Sequence, residues 1–191
     1  MQQIRWGMIG CGQVTEVKSG PGFQKADGST LVAVMRRNGP LAEDYAKRHN
    51  VPRWYDDAQM LIDDPEVDAV YIATHPDTHY HYAKLVAMAG KPVYCEKPLA
   101  FTYKQSLELV SLFKEKNIPN FCAYYRRTLP KYLMIKQLLL ENVIGEIRHI
   151  HIQMHQMIQD IDRTGSGSWR VQPQISGGGR FMDVGPLPLI S

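Results

Sequence analysis

Short apolar runs alternate with longer amphipathic segments along the first 124 residues, and no other feature limits the fold so tightly. Leu31–Met35 (LVAVM) and Ala69–Ala73 (AVYIA) are apolar at every position, as strands must be when both faces of their sheet are covered. Ile4–Ile9, Pro92–Cys95 and Asn120–Ala123 complete the set of expected strands. Between them, helices are expected from Gly12 to about Gly20, from Pro40 with Leu41, Tyr45 and Ala46 at helical spacing, over Asp77–Ala89, and over Phe101–Lys116. In the first of these, Gly20-Pro21-Gly22 is read as the stop. In the last, Leu107, Val110 and Leu112 are read as inward. Strands separated by helices of this length make a parallel sheet with crossover helices, so residues 1–124 are expected to form a doubly wound α/β domain.

After Tyr124 the pattern changes. Pro130–Glu141 (PKYLMIKQLLLE) reads as a helix, and Glu146–Met157 alternates as a long strand would, with Ile150, Ile152 and Met154 on one face. A polar, Gly-rich stretch follows from Gln159 to Arg180. One strand is not a sheet. Residues 125–191 are therefore expected to be an incomplete α+β second domain that supports substrate binding and oligomerisation, and the protein is expected to be a homo-oligomer if folded.

Composition excludes several function classes. The chain is 44% apolar and 21% charged, with a formal net charge of +3 that is spread rather than clustered. That distribution supplies neither a nucleic-acid stripe nor a basic membrane-binding face. No segment has the roughly 18 consecutive apolar residues of a membrane span, and the start lacks the charged-then-apolar pattern of a leader, so a cytoplasmic protein is expected. Cys11, Cys95 and Cys122 match no metal or C-x-x-C spacing and are read as small apolar residues at strand ends, with a reactive thiol at Cys95 as the other reading. His149, His151 and His155 recur on one face of the expected strand beside Gln153. A polar strand face explains them better than a metal does, and no metal is expected.

Gly7-Met8-Ile9-Gly10-Cys11-Gly12-Gln13-Val14-Thr15 stands at the turn from first strand to first helix. Gly10 allows a tight turn, Gly12 lets backbone approach a diphosphate, and the N–H groups at the helix start attract its charge, which is the fingerprint of a Rossmann-type dinucleotide site. Thr15 replaces the third glycine. An acidic residue at the end of the second strand would bind the ribose of NAD, but Met35 is followed by Arg36, Arg37 and Asn38, with the nearest acids at Glu43 and Asp44. Two guanidinium groups there suit a 2′-phosphate, so NADP is expected, with NAD possible. Solvated surface arginines are the alternative.

Two more segments lie at carboxyl ends of strands, where α/β sheets bind ligands. They are Ile72-Ala73-Thr74-His75-Pro76-Asp77-Thr78-His79 and Gly90-Lys91-Pro92-Val93-Tyr94-Cys95-Glu96-Lys97-Pro98-Leu99-Ala100. Together with the glycine fingerprint they resemble the glucose-fructose oxidoreductase, inositol dehydrogenase and MocA family (Gfo/Idh/MocA), from about Ile4 to Gly185. The resemblance implies an NADP-preferring oxidoreductase moving a hydride between nicotinamide and a carbinol or carbonyl carbon of a sugar, polyol or related cyclic diol. It makes Lys97 the proton or hydrogen-bond donor to the reacting oxygen and Glu96 an orienting group. It puts His79 on the nicotinamide side of the cleft and Trp169-Arg170 in a loop reaching back over the cofactor. Ala73, Thr74 and His75, with Cys11, Gln13 and Val14, join the cofactor-binding set.

Gly177-Gly178-Gly179-Arg180-Phe181-Met182-Asp183-Val184-Gly185 resembles the family's approach to a second catalytic cluster, D-x-G-x-H-x-x-D, and makes Asp183 its first member. Leu187 stands where the resemblance expects His, and Ile190 where it expects Asp. The resemblance thus implies a chain truncated at its C-terminus. A catalytically defective, nucleotide-binding fragment of such an enzyme is the alternative function.

Overall fold

The computed structural model describes residues 3–153, 155, 157 and 167–179. Among them, β1 (Ile4–Ile9), β2 (Ser29–Met35), β3 (Arg53–Tyr55), β4 (Ala69–Ile72), β5 (Val93–Cys95) and β6 (Asn120–Cys122) form one sheet. Their order is β3-β2-β1-β4-β5-β6 and every pairing is parallel. The helices α1 (Gln13–Val17), α2 (Ser19–Lys25), α3 (Gly39–Arg48), α4 (Ala58–Asp63), α5 (Pro76–Met88) and α6 (Tyr103–Glu115) connect the strands. Because β1 lies between β2 and β4, the loops after β1 and β4 leave in opposite directions and open a crevice at their carboxyl ends. This is the doubly wound Rossmann arrangement.

Strand side chains alternate between two buried layers, as the pleat requires. Met8, Val34 and Tyr71 pack with Ala42, Tyr45 and Ala46 of α3. Their neighbours Ile9, Met35, Val70 and Ile72 pack instead with Leu61 of α4, Val86 of α5, and Leu109 and Phe113 of α6. A cluster of aromatic rings fills the first layer beside α2. Phe23 stands 4.9 Å from both Trp6 and Tyr71, and Tyr71 lies 5.5 Å from Tyr94, measured between ring centroids. Local chemistry sets the helix starts: Asn38 accepts from the Leu41 N–H, Asp57 from those of Gln59 and Met60, and Thr102 with Gln105 closes a capping box.

Three expectations in this region need correction. The first helix is two helices, and Gly20-Pro21-Gly22 lies inside α2 rather than ending α1. Pro21 is tolerated because it occupies the first turn, where backbone N–H groups have no intrahelical partner. Gly20 is required by packing, since a Cβ there would overlap the Thr15 carbonyl oxygen and the Tyr45 hydroxyl. On α6 the buried positions are Leu109 and Phe113, whereas Leu107 and Val110 are about half exposed. The short β3 and α4 lie in a stretch whose sequence suggests no element.

Charge ties the amino-terminal edge of this sheet together. Arg5, second in β1, reaches Glu66 at 2.6 Å and Asp68 at 2.7 Å, both just ahead of β4. Lys91, ahead of β5, donates to the Asp64 carbonyl at 2.7 Å. Elsewhere, Arg48 and His49 from the end of α3 both reach Glu16 of α1, at 2.7 Å each.

The chain divides into two compact units between Ala123 and Tyr124. In the second, a single turn at Tyr125–Thr128 precedes α7 (Pro130–Leu140), and short turns follow at Trp169–Val171 and Pro173–Ser176. The strand expected over Glu146–Met157 does not form among its described residues, 146–153, 155 and 157. Alternation prepares a strand face, but a strand exists only where a neighbour takes its backbone hydrogen bonds, and none of the described residues does so. Ile150 and Ile152 are exposed. Met154 lies outside the described residues. Also among the described residues, no helix is long and apolar enough to cross a membrane.

Candidate active site

The glycine turn is built by the sheet itself. The N–H groups of Gly10 and Cys11 both donate to the Met35 carbonyl, at 2.9 and 3.3 Å, so the end of β2 holds the turn that follows β1. Gly10 has a φ of +96°, and a Cβ there would stand 2.7 Å from Thr74 Cγ2 and 2.9 Å from the Thr74 nitrogen. No other residue fits both that conformation and that approach. Gly12 is different. A Cβ there would meet nothing closer than the Gly10 carbonyl oxygen at 3.9 Å, so the protein's own packing does not demand glycine and the space beside it is open.

Thr15, in the place of the third fingerprint glycine, is fully buried. Its hydroxyl donates to the Gly12 carbonyl at 2.8 Å, and its own carbonyl accepts from the Tyr45 hydroxyl at 3.0 Å. The Thr15 side chain is thus tied back to the turn, while its carbonyl meets the Tyr45 hydroxyl and the close approach of Gly20. Cys11 is buried beside it, and burial pushes its thiol up to about 11, against the opposing pull of the nearby Arg36.

Arg36 and Arg37 are exposed at the carboxyl end of β2. The Arg36 N–H donates to the Tyr55 carbonyl at 3.1 Å, which extends the β2–β3 ladder and leaves its side chain beyond the sheet. Arg37 lines a recess of about 100 Å³ with Thr74, His75, Asp77, Thr78 and Tyr82. The two nearest acids in sequence are occupied, Glu43 by Lys47 and Asp44 by Arg48, each at 2.8 Å. Asp77, which also lines the recess, lies in the marked segment after β4, but nothing local ties it to Arg37. Only the strand order places the loop after β4 opposite the end of β2.

Glu96, Lys97 and Pro98 leave the end of β5. The last ladder bond runs from the Glu96 N–H to the Ile72 carbonyl at 2.9 Å. The Glu96 carboxylate accepts from the Tyr71 hydroxyl at 2.7 Å and from the Lys97 N–H at 3.3 Å. Burial, with that carboxylate alongside, pushes the Tyr71 phenol far above its ordinary range, so it remains a donor. Lys97 is half-buried and the Lys97–Pro98 peptide is cis.

His79, expected near the nicotinamide side of a cleft, is only 1% exposed. Its Nδ1 lies 2.7 Å from the Pro98 carbonyl and its Nε2 lies 3.1 Å from the Thr74 carbonyl. Burial lowers its pKa, and the two carbonyls work in the opposite direction. Sequence alone distinguishes it poorly from exposed His81, because the helical face that decides between them is set by tertiary packing.

The first unit therefore gathers Gly10, Cys11, Gly12, Gln13, Val14, Arg36, Arg37, Ala73, Thr74, His75, His79, Glu96 and Lys97 on the carboxyl-terminal side of one sheet. Trp169 and Arg170 belong to the second unit, where the guanidinium carbon stands 4.7 Å from the indole ring centroid. Asp183 lies outside the described residues. So do Leu187 and Ile190. His149 and His151 are exposed, with ring centroids 6.5 Å apart, and among the described residues no group of three His, Cys, Asp or Glu is placed to hold a metal.

A sheet of this order, with a glycine turn at its switch point, defines a Rossmann-type dinucleotide-binding domain, and known proteins agree. Residues 4–124 match the oxidoreductase family with an NAD-binding Rossmann fold, and residues 132–189 match the C-terminal domain of the same family. The chain belongs to the Gfo/Idh/MocA family of oxidoreductases. It is 47% identical over 186 residues to an oxidoreductase of Formosa agariphila, covering 96% of this chain and 58% of that protein. To the trans-1,2-dihydrobenzene-1,2-diol dehydrogenase of Danio rerio it is 29% identical over 187 residues, covering 95% of this chain and 53% of that one. Among solved structures, a 3-ketoreductase from Actinomadura kijaniata in complex with TDP-benzene and NADP matches with a TM-score of 0.71 and 26% identity, over 77% of this chain and 46% of that one. The chain thus spans about half the length of the curated relatives it matches.

Proposed function

We propose that this chain binds NADP in preference to NAD and serves an oxidoreductase acting on a carbinol or carbonyl carbon of a sugar, polyol or related cyclic diol. The observation that carries the cofactor preference is the end of β2, where Arg36 and Arg37 are exposed while Glu43 and Asp44 are held by Lys47 and Arg48. A guanidinium binds a phosphate dianion by charge-assisted hydrogen bonds and has nothing comparable to offer a ribose hydroxyl. The residues fit a dinucleotide, since the open space beside Gly12 is what a diphosphate approaching backbone needs.

In this reading Gly10, Cys11, Gly12, Gln13 and Val14 hold the diphosphate, Arg36 and Arg37 hold the 2′-phosphate, and Ala73, Thr74 and His75 flank the nucleotide. When bound, the nicotinamide gives or takes the hydride. Lys97 Nζ donates a proton to the substrate oxygen during reduction and accepts one during oxidation. Glu96, fixed by Tyr71, orients the segment that carries Lys97. Trp169, Arg170 and Asp183 enter the proposal on the family resemblance alone. The substrate class rests on relatives named as a dihydrodiol dehydrogenase and a ketoreductase.

Fluorescence titration with NADPH and NADH tests the preference, on the wild type and on an Arg36→Asp, Arg37→Ala variant. A charge-assisted contact contributes about 1.5 to 3 kcal/mol, so NADPH is expected to bind roughly tenfold or more tightly, and the variant to lose that margin. Equal affinities in the wild type refute the preference.

A further inference from the structure

We propose that His79 is a positioning residue whose buried ring, set in the first turn of α5, clamps the segment carrying Lys97 through an Nδ1–H hydrogen bond to the Pro98 carbonyl. The sheet holds the chain only as far as Glu96, whose N–H makes the last ladder bond to Ile72. Beyond that point Lys97 is bracketed. Its own N–H donates to the Glu96 carboxylate before it, and the carbonyl of Pro98 after it lies 2.7 Å from His79 Nδ1. The other ring nitrogen lies 3.1 Å from the carbonyl of Thr74, in the loop after β4. The ring thus ties the loop after β5 to the start of α5, with the Thr74 carbonyl lying against its other edge.

Its chemistry separates this role from catalysis and from space filling. The ring is 1% exposed and both nitrogens face main-chain carbonyls, which only accept hydrogen bonds, so it has no route for passing a proton to a substrate. A neutral ring carries one N–H; in the proposal it sits on Nδ1, the nitrogen nearer its carbonyl, and Nε2 makes no hydrogen bond to Thr74. Space filling alone would be met by Phe, which offers no donor.

The test uses the whole 191-residue chain and three forms: wild type, His79→Phe, and His79→Asn, whose amide N–H stands near the place of Nδ1. Hydrogen–deuterium exchange without nucleotide is read over residues 96–102, with α6 as the internal reference. His79→Phe is expected to exchange about tenfold faster there with α6 unchanged, and His79→Asn to stay near the wild type. Unchanged exchange in His79→Phe, or a rise in α6 as large as that in 96–102, overturns the clamp.

The consequence for the cofactor rests on the proposed function and has its own readout. NADPH is compared with 2′-phospho-ADP-ribose, which keeps the adenosine and diphosphate but lacks nicotinamide. His79→Phe is expected to lose about fivefold in NADPH affinity, together with the nicotinamide fluorescence enhancement, while binding the fragment as the wild type does. Equal losses for both ligands overturn the positioning role. Should the wild type bind neither ligand, the proposed function fails, and the exchange comparison still decides the clamp.

Discussion

Replacing Gly20 by Ala tests how α2 is seated. In an exposed helix this exchange gains about 1 kcal/mol. Here the new methyl overlaps the Thr15 carbonyl oxygen and the Tyr45 hydroxyl. Forcing a methyl into a packed site costs about 1 to 3 kcal/mol, and breaking the buried Tyr45–Thr15 hydrogen bond adds about 1 kcal/mol. After the propensity gain, the net loss is about 1 to 3 kcal/mol. Urea unfolding followed by circular dichroism measures it, and a cycle with Tyr45→Phe identifies the cause. Without the hydroxyl one of the two overlaps is gone, so Gly20→Ala is expected to cost about 1 kcal/mol less when combined with Tyr45→Phe. A neutral or stabilising Gly20→Ala in the wild-type background would refute the close approach of α2 to Thr15 and Tyr45.

Two further outcomes concern groups with shifted protonation. The Arg48 guanidinium, helped by His49, holds the Glu16 carboxyl down to about 2 from an ordinary 4.5, so its stabilisation is present above pH 4.5 and is lost as pH falls toward 2. Glu16→Gln should therefore have a lower urea midpoint at neutral pH and a shallower decline between pH 4.5 and 2, and parallel declines in the two proteins would contradict this. Burial raises all three thiols, Cys11 to about 11, Cys122 to about 12, and Cys95 well above the ordinary thiol value. Native protein should react with Ellman's reagent at pH 8 about tenfold or more slowly than urea-unfolded protein, whereas one fast thiol in the native state would mark a reactive cysteine.

Much of the first unit was legible because its strands are buried on both faces. LVAVM and AVYIA have no polar position to confuse the period, and Gly10 must be glycine for reasons that the turn alone supplies. What failed were the features that only neighbours decide. β3 is three residues long and places Arg53 and Trp54 in partly exposed positions, so neither alternation nor an apolar run marks it. Gly20-Pro21-Gly22 looks like a stop because local propensity says so, while the structure uses Gly20 for contact and Pro21 where no N–H is needed. Glu146–Met157 shows the reverse error, with alternation suggesting a strand where none forms among the described residues. In the site, Arg36 and Arg37 could be found because they come directly after the second apolar run. Tyr71 could not, because its relevance depends on which strands become neighbours, and Asp77 lies in a segment the sequence marks without any signal that it faces Arg37.

The two ends of the sheet carry different burdens. At the amino-terminal edge Arg5, Glu66, Asp68 and Lys91 hold strand starts together. At the opposite edge stand the glycine turn, the arginine pair, and Glu96 and Lys97. Since each strand is only three to seven residues long, the edges lie close together, yet they share none of these side chains. Variation can therefore work on them independently. On the proposed function, exchanges around Arg5 and Asp68 are expected to act on stability and exchanges after β2, β4 and β5 on ligand binding. A relative with new specificity would be expected to differ from this chain along one rim and to resemble it along the other.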